Sequence, residues 1–258
     1  MAYLLILLAA LVGIWAVAEA HWVLRVVHHQ IGSRGVRILF VSDLHCSRFH
    51  PPARIDRIIR RAEQLNPDLV LLGGDYVERG NRYVDRCISQ LARLKAHAAV
   101  LGNHDIQTHR GENPRSAVVA ALEERGIPLL NNTSMMITVK GIHIQIIGTA
   151  DARRDIAYAG HLTRDDRADM LILLSHSPDF LPSGAGHLDL DLALCGHTHG
   201  GQITLFGRPI TTHSRYGRIL GRGLCTYRST PVVISNGVGT TILPLRFWAP
   251  CAVDVIDL

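Results

Sequence analysis

The chain has 258 residues, of which 47% are hydrophobic and 19% are charged, and its net charge at pH 7 is +5. This composition fits a globular protein that is long enough to bury one sizeable core. Arginine carries nearly all of the positive charge, because Lys95 and Lys140 are the only lysines. No basic stripe is interleaved with aromatic residues, so a nucleic-acid partner is not expected. The arginine excess fits either a compositional bias of the genome or a preference for anionic membranes or substrates.

The five cysteines are too scattered to predict a disulfide framework. Their number is odd, and no C-x-x-C pair occurs. This usage suits a reducing compartment. Cys46 follows His45 directly and Cys195 lies two residues before His197, and at such positions a small packing residue is more frequent than a metal ligand.

Residues 1–18 carry no charged side chain and consist mainly of Leu, Ala, Ile and Val. As a helix they would extend over ~27 Å, about the thickness of a bilayer core. Trp15 and Trp22 suit the far membrane interface. A cleaved signal peptide is the alternative, because residues 16–20 contain small-x-small cleavage patterns. Signal peptides normally begin with Lys or Arg, which is missing here, so a retained transmembrane helix is predicted.

The positive charges follow the apolar run, at Arg25, Arg34 and Arg37. By the positive-inside rule, the chain is predicted to be a single-pass protein of the inner (cytoplasmic) membrane with its soluble domain on the cytoplasmic side. Residues 1–27 would be the anchor, or an uncleaved signal-like segment. Residues 28–35 would be a linker that contains His28 and His29, and residues 36–258 would be the soluble domain.

Apolar runs and helical patterns alternate through the first half of this domain. Strands are predicted at residues 36–42, 68–72 and 98–101, and helices at 53–65, 82–94 and 114–125. This order implies a parallel sheet with ligands at the carboxyl ends of its strands. Further strands are predicted at residues 135–139, 142–147, 170–174, 190–194 and 232–234. One α/β domain with two facing sheets accounts for the whole stretch, with residues 206–227 as a loop over the site.

Five short segments at the ends of strand-like runs carry histidines, carboxylates and one asparagine. They are Asp43-Leu44-His45, Gly73-Gly74-Asp75, Gly102-Asn103-His104-Asp105, Ser175-His176-Ser177 and Gly196-His197-Thr198-His199. Each offers a ligand for a hard or borderline divalent metal. Taken alone, an Asp after a strand is usually a turn or cap residue, and a single His is usually a core residue. Five such segments in this order predict a site for two metal ions.

The residue types also suggest how two metals would be shared. Asp43 and His45 lie at i and i+2, so they point to the same side of an extended strand and suit one ion. Asp75 follows paired glycines, which let the backbone turn tightly enough for its carboxylate to reach between ions ~3.5–4 Å apart. A neutral amide oxygen comes from Asn103, and imidazole nitrogens come from His176, His197 and His199. Two metals in this arrangement clamp the attacking and departing oxygens of phosphate ester hydrolysis.

These ordered motifs resemble the calcineurin-like metallophosphoesterase superfamily over residues 36–258. The resemblance implies a four-layer α/β/β/α sandwich and two divalent metal ions, with Mn preferred and Fe or Zn as alternatives. It implies that Asp43, His45, Asp75 and His199 hold one metal and that Asp75, Asn103, His176 and His197 hold the other. His104 would be a catalytic histidine that binds no metal and either stabilises the transition state or protonates the leaving oxygen.

Residues 196–203 and 236–247 resemble the membrane-associated bacterial branch typified by YkuE and YaeI, whose members are described as phosphodiesterases or phosphohydrolases. Hydrolases of this superfamily that cleave UDP-2,3-diacylglucosamine share the anchored layout. The resemblance therefore implies a phosphorylated small-molecule or lipid substrate. The bond cleaved would be a phosphodiester or pyrophosphate in a lipid or nucleotide-lipid.

Residues 74–80 also resemble the Gly-Asp-x-Val-Asp-Arg-Gly block of protein serine/threonine phosphatases. In that block the second acid orients the catalytic histidine and the arginine holds phosphate. Glu78 is one methylene longer than that acid, and Arg79 is either a bidentate phosphate contact or a solvated loop charge. Both are candidate substrate-binding residues, and a phosphomonoesterase or protein phosphatase is the alternative function. A non-catalytic scaffold with this fold is disfavoured, because His104 and every expected ligand are present.

Overall fold

A computed structural model describes residues 1–50 and 54–258. Its helices are α1 Ala2–Trp22, α2 Ile55–Leu65, α3 Val84–Leu91, α4 Asn103–Ile106, α5 Arg115–Glu124 and α6 Phe180–Gly184. Its strands are β1 Leu24–Gln30, β2 Arg37–Val41, β3 Leu69–Leu72, β4 Ala98–Ala99, β5 Thr133–Val139, β6 Ile142–Gly148, β7 Met170–Ser175, β8 Leu192–Cys195, β9 Thr204–Leu205, β10 Arg208–Pro209, β11 Gly223–Tyr227, β12 Thr230–Ile234 and β13 Cys251–Asp257. The predicted start of the second helix at Ala53 lies outside the described residues.

The strands form two large sheets. The first has the order β1-β13-β2-β3-β4, and the second has the order β11-β12-β8-β7-β6-β5. In the first sheet β2, β3 and β4 are parallel, as the alternating strands and helices predict. In the second sheet β6, β7, β8 and β12 are parallel, and the edge strands β5 and β11 are antiparallel to their neighbours. Strands β9 and β10 form a separate hairpin.

The two sheets face each other across a shared apolar layer. Ile38 and Phe40 of β2 enter this layer from the first sheet, and Ile172 and Leu174 of β7 enter it from the second. The alternate residues of β2 face the other way, against α2, α3 and α5, as the period of two requires. The outer face of the second sheet packs against α6 and irregular segments. The predicted four-layer α/β/β/α sandwich is therefore confirmed, with a thin fourth layer.

The N-terminal helix α1 has 21 residues and is long and apolar enough to cross a membrane. Its residues 2–15 are exposed, whereas Ala16 and Glu19 are buried against the domain. The backbone N–H of Arg246 donates to the carbonyl of Ala16 over 2.9 Å. The backbone N–H of Trp248 donates to Oε2 of Glu19 over 3.0 Å. The C-terminal turns of α1 are thus fastened to the domain, while its N-terminal part projects from it.

The linker predicted at residues 28–35 requires a correction. Its first three residues belong to strand β1, which pairs in parallel with β13 at the edge of the first sheet. His29 is buried, and its Nε2 lies 2.8 Å from Oδ1 of Asp254. Leu24 and Val26 pack on the core beneath the helices, so the alternating pattern of a half-buried strand is present. Because its partner strand lies more than 200 residues away, the pairing was not visible locally.

Candidate metal centre

The seven predicted metal ligands converge at one edge of the two sheets. Asp43 and His45 follow β2, Asp75 follows β3, Asn103 begins α4 after β4, His176 follows β7, and His197 and His199 follow β8. All seven side chains are buried. The carboxyl ends of parallel strands meet at the same edge, which is where α/β proteins usually bind ligands. The structure therefore brings together residues that span more than 150 positions of the sequence.

The backbone at this edge is strained. Asp43, His45, Asp75, His197 and His199 have φ values between 46° and 70°. Positive φ is uncommon for residues other than glycine, and it persists only where the surrounding structure enforces it. Such strain concentrates at functional sites, and here it turns five side chains away from their strands and into a common space.

Close packing of two loops brings the Asp75 segment beside the start of α4. A Cβ atom at Gly102 would collide with Oδ1 of Asp75, so only glycine fits there. Asp105 is fully buried and accepts hydrogen bonds from the backbone N–H groups of Gly102, Asp75, Tyr76 and Val77, over 2.7 to 3.3 Å. Burial and the neighbouring Asp75 raise the pKa of Asp105 to about 7, although these N–H donors favour its ionised form. Asp105 thus holds the two loops together.

Asp75 lies between two imidazoles. Its Oδ2 is 3.3 Å from Nε2 of His45 and 3.3 Å from Nε2 of His176. One carboxylate placed symmetrically between two nitrogen ligands has the position that a bridging ligand needs. The resemblance implies a shared role for Asp75, and the position of its carboxylate is compatible with that role.

Asp43, His45 and His199 form the first group of donors. Nε2 of His45 and Nε2 of His199 are 3.1 Å apart, and Oδ1 of Asp43 is 3.6 Å from Nε2 of His199. One ligand atom from each of the three residues lies within 4.8 Å of the others. With Asp75 alongside, these are the residues predicted for one metal.

The second group is less compact. Oδ1 of Asn103 lies 3.3 Å from Nε2 of His176, next to Asp75. His197 stands further off, with its ring 5.2 Å from the ring of His176, and its Nε2 lies 2.7 Å from a guanidinium nitrogen of Arg153. Burial lowers the pKa of His197 to about 3, which keeps the ring neutral and its nitrogen available as an acceptor or ligand. His197 is thus near the group but is engaged by Arg153.

Two of the imidazoles are oriented by groups behind them. Nδ1 of His176 donates to the carbonyl of Gly73 over 2.7 Å, which turns Nε2 toward Asp75. Nδ1 of His45 lies 2.6 Å from Oε2 of Glu78. A carbonyl or carboxylate behind a histidine fixes its ring orientation and raises its basicity as a ligand.

Glu78 therefore faces His45 more closely than His104. Its Oε2 is 3.7 Å from Nδ1 of His104, and that nitrogen instead donates to the backbone carbonyl of Glu78 over 2.8 Å. The backbone N–H of His104 donates to Oδ1 of Asp75 over 2.8 Å. Its Nε2 is 3.5 Å from the hydroxyl of Thr241 and lies at the cavity. His104 is consequently beside the donor groups, with one ring nitrogen directed toward solvent and substrate space.

The donor set fits divalent metal ions. Two carboxylates, an amide oxygen and several imidazoles meet in a buried space, where uncompensated charge is costly. Burial alone would lower the pKa of His176, but the carboxylates of Asp75, Asp43 and Asp151 together outweigh burial and raise the pKa to about 10. The buried acids therefore favour positive charge in their midst. Metal ions would supply that charge and displace the proton from His176.

A cavity of about 240 Å³ opens over this cluster, and its lining includes two arginines that the sequence does not single out, Arg153 and Arg154, in addition to the predicted Arg79. Arg79 is half-exposed and lines it together with Arg153 and Arg154. The backbone N–H groups of Arg153 and Arg154 donate to Oδ1 of Asp151 over 3.1 and 2.8 Å, in a turn just after β6. Asp151 comes shortly after β6, as Asp43 and Asp75 come shortly after β2 and β3. An acidic residue after a predicted strand was therefore the sequence signal that could have pointed to this turn. Glu78 does not line this cavity.

The tail after β12 closes the site from the side of α1. Arg246 is fully buried, and its guanidinium donates to backbone carbonyls of Gly239, Ala249 and His199 over 2.6 to 3.1 Å. One of its nitrogens lies 3.3 Å from Nδ1 of His199. Arg246 thus ties the tail to the back of a predicted ligand.

The two-sheet sandwich with paired donor groups at its strand ends defines the class of metal-dependent phosphoesterases. The chain belongs to the calcineurin-like phosphoesterase family, whose family model matches residues 36–201. The family membership confirms the resemblance found in the sequence, and the chain is a metal-dependent phosphoesterase. The family uses a pair of divalent metal ions.

Two relatives cover most of the chain. The phosphodiesterase YaeI of Escherichia coli is 31% identical over 233 residues, which are 86% of this chain and 82% of YaeI. The metallophosphoesterase YkuE of Bacillus subtilis is 31% identical over 236 residues, 88% of this chain and 80% of YkuE. The solved structure of the sulfate thiohydrolase SoxB of Thermus thermophilus aligns with a TM-score of 0.52 at 15% identity. That alignment covers 86% of this chain and 56% of SoxB, and it supports the fold alone.

Proposed function

We propose that this chain is a membrane-anchored phosphohydrolase that cleaves a phosphodiester or pyrophosphate bond with two divalent metal ions. The observation that carries the proposal is Oδ2 of Asp75, placed 3.3 Å from both His45 and His176 beneath an arginine-lined cavity. When bound, a metal pair supplies Lewis-acid polarisation of the phosphoryl group and an activated water. The similarity to a relative named as a phosphodiesterase favours a diester.

The ligands would divide as the resemblance implies. Asp43, His45, Asp75 and His199 would hold one metal, and Asp75, Asn103, His176 and His197 would hold the other. We propose Mn as the native metal, as the resemblance implies, because the carboxylate and amide oxygens of the donor set suit Mn. Fe and Zn are the alternatives, because the imidazole nitrogens suit these two metals. In this arrangement Glu78 orients His45 rather than contacting substrate, since its Oε2 is 2.6 Å from Nδ1 of that histidine.

The other residues of the site would bind the substrate and protonate its leaving group. Arg79, Arg153 and Arg154 would bind the non-bridging phosphate oxygens, for which a guanidinium fork is well shaped. His104 would act in its doubly protonated form: its Nδ1–H donates to the carbonyl of Glu78, and the proton on Nε2 would pass to the leaving oxygen, which leaves a neutral imidazole.

The anchor proposal rests on α1. Its apolar length suits a bilayer crossing, and Arg25, Arg34 and Arg37 after it favour a cytoplasmic domain in the inner membrane. The burial of Ala16 and Glu19 against the domain favours retention of the helix over cleavage. A catalytic domain fastened to the end of such a helix would work at the membrane surface. We therefore propose a lipid or nucleotide-lipid substrate, of the kind represented by UDP-2,3-diacylglucosamine.

The test is metal-dependent hydrolysis by the full chain in phospholipid vesicles. The protein is stripped of metal with a chelator and reloaded separately with Mn, Fe, Zn or Co. We expect the reloaded protein to hydrolyse bis-aryl phosphate and UDP-2,3-diacylglucosamine and the stripped protein to hydrolyse neither. Failure of every metal on both substrates would contradict the proposed activity. Cleavage of the aryl diester alone would support the proposed phosphodiesterase activity and contradict the proposed lipid substrate.

Replacement of His104 by alanine tests its role as an acid. Loss of a general acid costs about 10²–10⁴-fold in rate. We expect that loss for a diester with an alkyl leaving group, and a clearly smaller loss for a nitrophenyl leaving group, because nitrophenolate departs without a proton. The exposed His143→Ala variant is the control and should keep wild-type rates. Equal losses for the two leaving groups would assign His104 to transition-state binding instead of proton transfer.

One observation favours a phosphomonoesterase as the second candidate. Three arginines at one cavity suit the additional charge of a monoester dianion. This alternative predicts faster turnover of aryl monophosphates and phosphopeptides than of diesters, and comparison of kcat/KM for these substrates separates the two.

A further inference from the structure

Outside α1, the exposed large apolar side chains are concentrated in two segments beside the metal centre. Among the described residues twelve such side chains are exposed, six of them within residues 205–224 and three within residues 242–248. Phe206 is 84% exposed and Ile210 is 70% exposed. A concentration of exposed apolar side chains of this kind often marks an interaction site.

The backbone holds several of these side chains outward. Phe206, Ile242 and Trp248 have φ values of 48°, 63° and 55°. For a β-branched or bulky residue, positive φ is a strained conformation. Ile242 is kept in place by Gln202, whose side chain bonds to the backbone on both sides of it, at Thr241 and Leu243. The fold thus holds these three residues in strained backbone conformations while their side chains remain exposed.

These segments are continuous with the end of α1. The rings of Phe206 and Trp248 are 6.0 Å apart, and the backbone of Trp248 is hydrogen-bonded to Glu19 near the end of the helix. If α1 crosses a bilayer, its last turns lie near the membrane surface, and these two aromatic rings lie at the same level. Aromatic side chains are enriched at that depth.

The two segments themselves carry only positive formal charge, and two carboxylates next to them, Glu78 and Glu19, accept hydrogen bonds from the backbone N–H groups of Ile242 and Trp248. Residues 205–224 contain Arg208, Arg215, Arg218 and Arg222 and no acidic residue. Exposed apolar groups among arginines are the composition of surfaces that contact anionic lipid headgroups. A protein partner would need a face that is both acidic and apolar. An anionic bilayer beside α1 offers negatively charged headgroups and apolar acyl chains together.

We propose that Phe206, Ile210, Ile242, Leu243 and Trp248, here called the apolar rim, insert into the interfacial region of an anionic bilayer as a second membrane contact. This inference rests on the proposed anchoring by α1. Ile210, Ile242 and Leu243 also line a cavity of about 180 Å³ that reaches His199. The rim would therefore place the mouth of the metal site at the level of lipid phosphates.

Tryptophan quenching tests the contact, because the chain has three tryptophans. The full chain with Trp15→Phe and Trp22→Phe keeps Trp248 alone, and the chain with Trp15→Phe and Trp248→Phe keeps Trp22 alone. Both are placed in phosphatidylcholine/phosphatidylglycerol vesicles whose acyl chains are brominated near the headgroup. We expect Trp248 to show a blue-shifted emission and a loss of emission comparable with that of Trp22.

The chain that keeps Trp22 alone shows whether α1 is in the bilayer, independently of whether the apolar rim contacts it. Quenching of Trp22 without quenching of Trp248 would overturn the rim and leave the anchor intact, whereas quenching of neither would overturn both. In the chain that keeps Trp248, Phe206→Ser with Ile210→Ser should reduce the quenching. The control is Ile156→Ser, which alters an exposed apolar residue outside the rim. Equal effects of the rim and control substitutions would mean that α1 alone holds Trp248 near lipid, and they would also overturn the proposal.

Discussion

Replacing Asp75 by asparagine is expected to abolish hydrolysis and to reduce the bound metal from two ions per chain to one or none. Oδ2 of Asp75 is equally distant from His45 and His176, so this single carboxylate serves both donor groups. Asparagine keeps the shape of the side chain but removes its charge and replaces one oxygen with an amide donor. Metal ions contribute several kcal/mol to stabilisation of transition-state charge. At about 1.4 kcal/mol for each factor of ten, a loss of at least ~10³-fold in kcat follows.

The measurements are metal content by mass spectrometry and kcat on bis-aryl phosphate. The control is Asp166→Asn, because Asp166 is exposed and lies outside the site. Both variants replace an aspartate with asparagine, so a difference between them in metal content or kcat is due to the place of Asp75 in the site. An Asp75→Asn protein that retained both metals and wild-type turnover would refute the bridging role.

The parts of the fold that depend on local pattern were predictable. Each central strand carries its own apolar run, and each is followed by its own polar segment, as in β3 and Asp75 or β7 and His176. The parallel order of β2, β3 and β4 follows from the helices between them. Because the ends of parallel strands coincide in space, the meeting of the donor groups could also be anticipated.

The parts that depend on distant pairing were not predictable. Leu24 of β1 pairs with Cys251 of β13, and neither segment has a neighbour in sequence that indicates its partner. For this reason the sequence pattern predicts a domain that starts at residue 36, although residues 24–30 already belong to the first sheet.

The predicted site was incomplete in its supporting residues. Glu78 was expected to contact substrate or orient His104, but its position between two histidines depends on how two loops approach each other. Arg153 lies in a turn whose side chains reach the cavity only after β6 and β7 have paired. Ligands at strand ends have a sequence pattern, whereas groups that orient them from neighbouring loops have none.

Replacing Arg246 by methionine is expected to destabilise the whole domain. The Arg246 side chain is fully buried, and its hydrogen-bond partners within residues 1–50 and 54–258 include no carboxylate, so its stabilisation comes from the carbonyls that it satisfies. Methionine fills part of the volume but leaves those carbonyls without donors. Each buried unsatisfied group costs about 1–3 kcal/mol. A loss of at least about 4 kcal/mol in the free energy of unfolding follows, which is a large part of the 5–15 kcal/mol typical of a domain.

Urea unfolding of the full chain in detergent measures the loss, with Arg86→Met as the exposed control that should change the free energy of unfolding by less than about 0.5 kcal/mol. If the methionine variant does not accumulate, Arg246→Lys provides the measurement. Lysine keeps the charge but lacks the planar fork that reaches several carbonyls, so an intermediate loss is expected. Because Arg246 also contacts His199, the lysine variant should bind metal more weakly than wild type under conditions where it remains folded. Wild-type stability of the lysine or methionine variant would show that the tail is held by its apolar contacts and not by this buried cation.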